Sequence, residues 1–216
     1  MNRPLAALEF LFAAGVVLGH NVWRVVPNEV VILTLVAILS MRLRAAGWNW
    51  TLLGFRRPDS WHVIVGVALA AAMLRILLGD FVIEPATAEI WPAPALPEGA
   101  NDIAGNPGYA LMMLGLVWSF AAFGEEIAYR GYLLNRGAAA LGGTKLAFWI
   151  AAAASAVLFG FGHFYKGPAG IVDSGVAGLI LAAAYLVTGR NLWTCVLAHG
   201  FIDTFAVVSL YLGFSD

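Results

Sequence analysis

The chain has 216 residues, of which 61% are hydrophobic and 12% charged, and its net charge is -1. A soluble domain averages about 45–50% apolar and about 25% charged residues, so this composition excludes a water-soluble protein. The lack of a basic run excludes nucleic-acid binding by counterion release, and the single Cys195 excludes a disulfide framework or zinc-finger spacing.

A membrane-spanning helix needs about 20 largely apolar residues. That rule predicts an all-α, polytopic bundle with spans near 5–22, 29–45, 61–82, 108–128, 146–164, 169–187 and 192–213. The count is seven, or eight if 131–142 folds back as a short helix. Arg3 and the apolar run behind it faintly resemble a signal peptide, but Glu9 and the lack of a small-residue cleavage site favour a first span. Trp23, Trp48, Trp50, Trp61 and Trp193 fall at span ends, where amphipathic rings prefer to sit. No repeat interrupts the pattern, so residues 1–216 read as one integral membrane domain.

Basic residues set the orientation. Arg42, Arg44, Arg56 and Arg57 follow the second span, Arg136 and Lys145 the fourth, and Arg190 precedes the seventh. The loop at 84–107 instead holds Glu84, Glu89, Glu98 and Asp102, and its prolines keep it irregular. These features place the N-terminus in the cytoplasm and the acidic loop outside, with Lys166 the one dissenter. Arg75 and Asp80, in the third span and at its exit, are expected to snorkel to the nearer surface. His20 and His62, near span ends, are expected at the interface.

An ionisable side chain near the bilayer centre costs about 2.5–3.5 kcal/mol on insertion scales, so it needs a partner and usually marks a function. Three clusters stand out. In the first, Glu126 and Arg130 are one helical turn apart and share a face as an ion pair requires. Glu125 is turned about 100° away, which leaves one carboxylate paired and the other free to face a cavity; a solvated acidic pair at the headgroups is the plainer reading. The second cluster is Phe159-Gly160-Phe161-Gly162-His163. Its glycines allow another backbone to approach, while His163 taken alone reads as an interfacial histidine bonded to a carbonyl. In the third, His199 and Asp203 share a face, so the carboxylate can orient the imidazole or share a ligand with it. Cys195, one turn earlier, reads as a small buried hydrophobe.

In this order on successive apolar segments, the three clusters resemble the CPBP (Abi) family of intramembrane proteases, the group around the Rce1-type CAAX prenyl endopeptidases. Its motifs are Glu-Glu-x-x-x-Arg, Phe-x-x-x-His and His-x-x-x-Asn or Asp. Here they read Glu125-Glu126-Ile127-Ala128-Tyr129-Arg130, Phe159-Gly160-Phe161-Gly162-His163 and His199-Gly200-Phe201-Ile202-Asp203. The resemblance covers roughly residues 110–210, preceded by Leu53-Gly54-Phe55-Arg56-Arg57-Pro58, which is similar to a linker often seen before the family's domain. It implies a membrane-embedded endopeptidase that cuts near the cytoplasmic face. By position, Glu125 with His163 would activate the attacking water, and Glu126 and Arg130 would form a supporting pair. His199 with Asp203 would stabilise the oxyanion or bind a metal.

Many relatives place Asn where this chain has Asp203. An amide donates to an oxyanion and an ionised carboxylate repels it, so Asp203 must be protonated, orient His199 or hold a metal. Zn2+ accepts N and O ligands, yet the compact His-Glu-x-x-His arrangement is missing, and the metal stays open. Depth poses a second question. At about 1.5 Å per residue, His199 lies about 10 Å from the cytoplasmic side and His163 about 27 Å, too far apart to meet across straight helices. Either Gly160 and Gly162 break the fifth helix, or that helix begins deeper.

The competing readings are a non-proteolytic membrane partner or bacteriocin self-immunity protein with the same fold, and a small proton-coupled transporter. The rhomboid Gly-x-Ser-Gly and presenilin-type Gly-x-Gly-Asp motifs are missing. The expected partners are the lipid bilayer and a peptide or protein substrate, lipidated if the CAAX task applies. The brevity of the chain points to a bacterial inner membrane.

Overall fold

The computed structural model describes residues 2–45, 48–92, 99 and 102–214. Among these, seven long helices and the short 3-10 turns Trp50–Leu53 and Phe164–Lys166 make up the regular structure, the long ones being α1 Arg3–Asn21, α2 Glu29–Arg44, α3 Trp61–Ala88, α4 Pro107–Ala140, α5 Lys145–Gly162, α6 Gly167–Val187 and α7 Leu192–Leu212. All but α2 are long and apolar enough to cross a membrane. The 16 residues of α2 span about 24 Å, short of a hydrocarbon core of about 30 Å.

Helix starts are written in the sequence. The side chains of Asn2, Asn28, Asn106, Thr144 and Asn191 each accept a hydrogen bond from a first-turn amide of α1, α2, α4, α5 and α7. These amides have no partner within their helix, and short polar caps supply one. Outward faces carry Leu8, Leu11, Leu35, Leu39, Leu69 and Met73, all exposed, as befits helices solvated by lipid rather than water.

Two expectations change. Residues 131–142 do not fold back as an eighth helix, because α4 runs unbroken for 34 residues to Ala140. Within it, Val117–Glu125 and Ile127–Leu134 adopt the wider π-helical hydrogen bonding, which is uncommon and frequently found at functional sites. The expected loop at 84–107 starts later, since α3 continues through Glu84 to Ala88; residues 93–98, 100 and 101 of that loop lie outside the described residues.

The length of α4 resolves the question of depth. A Cβ on Gly131 would lie 3.6 Å from Leu192, whereas one on Gly137, six residues on, would lie 3.2 Å from Ala151. The α4–α5 turn therefore projects roughly 9 Å past the start of α7. His163 lies twelve residues beyond Ala151 and His199 seven beyond Leu192, which brings both to within a few ångströms of one level, by the same rise per residue. Helix α5 is not broken; it begins beyond the level of the α7 start rather than farther into the bundle, and this lowers His163 to the level of His199. Gly162 simply ends it, and His163 caps it.

Small residues then bring α5 and α6 together. A Cβ on Gly160 would stand 2.5 Å from the Ile171 carbonyl oxygen and 3.3 Å from Gly175 Cα, and one on Gly178 would stand 3.2 Å from Ala156 Cα. Close backbone approach through small side chains is how helices associate in lipid, where no hydrophobic force drives them.

Candidate active site

The three sequence clusters converge between α4, α5 and α7. Arg130 Nη1 donates to Glu126 Oε1 at 2.8 Å, and its Nη2 donates to the Gly178 carbonyl oxygen of α6 at 2.9 Å. His199 Nδ1 lies 2.8 Å from the same Glu126 oxygen, and His199 Nε2 lies 3.5 Å from Asp203 Oδ2. The expected Glu126–Arg130 and His199–Asp203 pairs are thus links of one chain, Arg130–Glu126–His199–Asp203. Side-chain exposure along it is 1%, 0%, 9% and 24%, so the chain runs from the protein interior outward to Asp203.

The partners of each ring constrain where its protons can sit. Both nitrogens of His199 face carboxylate oxygens, and donation to both requires the doubly protonated ring. His163 is held differently: its Nδ1 donates to the Phe159 carbonyl oxygen at 2.9 Å. A carbonyl only accepts, so in the neutral ring Nε2 carries the lone pair. The plain reading of His163 as bonded to a carbonyl holds, and that bond leaves the lone pair on its other nitrogen.

Phe159 is the hub that connects the clusters. The Arg130 guanidinium stacks over its ring with Cζ 4.6 Å from the centroid, and the rings of Tyr129, His163 and His199 lie at 5.0, 4.8 and 6.0 Å. Glu125 stands apart. Among the described residues it has no hydrogen-bond partner, and its Oε2 is buried. It lies within electrostatic reach of His199, Asp203 and Lys166, but makes no direct hydrogen bond to His163.

Several neighbours were not legible in advance. Arg75 does not snorkel: it pairs with Asp173 of α6, and Gly79 leaves the room for its guanidinium. A paired arginine escapes the cost of an isolated charge in the membrane. Asp80 is exposed. Lys166, the dissenter from the charge pattern, lies within electrostatic reach of Asp173 and Asp203 without pairing closely with either, and its stem folds over Gly170. His20, near the end of α1, donates from Nδ1 to the Val26 carbonyl oxygen and sets Nε2 3.1 Å from the buried Glu29. Glu29 and the Tyr129 hydroxyl both abut Gly162. His62 is exposed at the start of α3 and Cys195 is fully buried. Asp173 and Glu29 carried a usable signal, since each is an acid at the edge of an apolar run.

Among the described residues, no group of three or more His, Cys, Asp or Glu side chains converges as a metal ion would require. Glu126 and Asp203 address opposite nitrogens of His199, so these three groups are spent on one another, while Glu125 and His163 Nε2 are not.

Residues 107–205 match the family model described as type II CAAX prenyl endopeptidase Rce1-like. The chain carries an Rce1-like core. Neither the comparison with curated proteins nor that with solved structures returned a match. All six candidate residues and Phe159 fall within the matched residues 107–205, over which this multi-pass membrane chain is similar to intramembrane CAAX endopeptidases.

Proposed function

We propose that the protein hydrolyses a peptide bond of its substrate with a water molecule activated by Glu125 and His163. The observation that carries this reading is the division of labour between adjacent carboxylates. Glu126 takes both Arg130 and His199, and Glu125, next to it, takes nothing. A general base must hold its lone pairs free until water arrives. Glu125, assisted by the unprotonated Nε2 of His163, accepts the proton as the water oxygen bonds to the scissile carbonyl carbon. The same proton passes to the leaving amine as the C–N bond breaks. Negative charge that develops on the carbonyl oxygen meets the N–H of His199, held by Glu126 and backed by Arg130; donors aimed where charge develops are commonly the largest catalytic contribution. At 3.5 Å Asp203 holds the imidazolium loosely, which leaves its Nε2–H available to substrate. This reading gives Asp203 the orienting role among the three open to it.

The same reading places the chain in a bacterial inner membrane with the N-terminus in the cytoplasm. In support, Gly54 abuts Leu192 and Gly142 abuts Arg3, so the basic segments flanking these contacts gather on one side, as the positive-inside rule asks.

The test is a reconstituted assay. Purified protein in liposomes is incubated with a peptide library, and new N-termini are read by mass spectrometry. Wild type generates them, with or without 1,10-phenanthroline, and Glu125→Ala does not. Cleavage by Glu125→Ala, or its loss on adding the chelator, contradicts the mechanism.

A further inference from the structure

A groove of about 560 Å3 runs between α1 and α2, lined by exposed Leu5, Leu8, Phe12, Leu39 and Leu43. Glu9, Arg44 and Tyr132 also face it. Arg44 pairs with Glu9, and Arg136 Nη1 stands 3.6 Å from the other Glu9 oxygen. In a bilayer such a wall meets acyl chains, yet the wall selects nothing, because a lipid tail gains no hydrophobic free energy by exchanging other tails for leucine.

Selection comes from charge at the rim. The helix ends framing the groove carry Arg3, Arg42 and Arg44, and the nearby end of α4 and start of α5 add Arg136 and Lys145. Glu9 is the single carboxylate set against them in the groove. Arg44 spends one nitrogen on Glu9 and keeps other donors of its planar fork, a geometry matched to phosphate oxygens. Arg42 stacks on Trp48 with Cζ 5.7 Å from the ring and has no acidic partner among the described residues.

We propose that the α1–α2 groove is a binding site for an anionic glycerophospholipid, with an acyl chain along the leucine wall, the phosphate on Arg44, and Arg42 on the same helix end adding attraction from a distance. The inference stands apart from the catalytic reading and survives its failure.

Native mass spectrometry of the purified full-length protein tests it, with equimolar phosphatidylglycerol and phosphatidylcholine of matched chains in the detergent. Wild type retains phosphatidylglycerol about fivefold over phosphatidylcholine, the discrimination expected from roughly one basic residue's worth of attraction to an anionic headgroup. Arg44→Gln loses that preference, and Arg42→Gln weakens it without touching an ion pair. Leu8→Trp fills the groove from an exposed position and lowers total bound lipid, whereas Val63→Trp, on the exposed face of α3, changes neither. Equal retention of the two lipids by wild type overturns the proposal, as does equal loss from Leu8→Trp and Val63→Trp.

Discussion

Glu125 and Glu126 are chemically identical neighbours with opposite fates, and mutation should separate them. Arg130→Ala leaves Glu126 charged, buried and short of a partner, and also frees the Gly178 carbonyl. Breaking a buried pair from one side costs about 3–5 kcal/mol, so this variant should be depleted in membranes and melt earlier in detergent. Normal abundance and melting would contradict the pairing. Glu125→Ala and His163→Ala should behave in the opposite way, with cleavage abolished and membrane abundance unchanged. The reason is that Glu125 has no partner to orphan and His163 bonds only to a carbonyl of its own helix. Loss of folded protein in both would count against a catalytic role. The Glu126–Arg130 pair was readable because helical spacing alone predicts it. The Glu126–His199 bond joins residues 73 apart, and no local pattern in one sequence specifies which of two adjacent carboxylates a distant helix will meet.

At the scale of elements, the site depends on where α5 ends and how closely α6 packs against it. A methyl group added at Gly160 meets the Ile171 carbonyl oxygen at 2.5 Å, whereas at Gly175 of the same crossing the nearest atom is 3.6 Å away. Gly160→Ala should therefore destabilise the protein by about 1–3 kcal/mol through overpacking, while Gly175→Ala should be near neutral. Thermal melts of the two purified variants decide it, and equal effects would refute the crossing geometry. Hydrophobic runs made the helices legible. The far boundary of α4 was not, because its end past Arg130 is rich in small and polar residues such as Asn135, Arg136 and Gly137, and hydropathy marks that as a loop. The resulting error in span length is what made His163 and His199 look too far apart to meet.

For the whole molecule, the stray charges fall into place as a set. Arg75 pairs with Asp173, and Lys166 lies within electrostatic reach of Asp173 and Asp203, so neither cation stands isolated among apolar helices. Arg75→Leu, which strands Asp173 inside the bundle, should lower abundance more than Lys166→Met, since among the described residues Lys166 makes no close ion pair; quantitative blotting of membranes measures both. A larger loss for Lys166→Met would reverse that ordering. The overall charge asymmetry further predicts a cytoplasmic N-terminus, which an N-terminal reporter active only on one side of the membrane would establish or refute.

Whether Glu125 makes this bundle an enzyme is tested most directly inside cells. Wild type and Glu125→Ala are expressed at equal membrane levels in a host that encodes the substrate but lacks the protein, and newly generated protein N-termini are profiled by mass spectrometry. The account predicts termini that appear with wild type and vanish with Glu125→Ala, and each such terminus also names a substrate. Identical profiles would contradict it and would leave a membrane partner protein that keeps the fold without the chemistry.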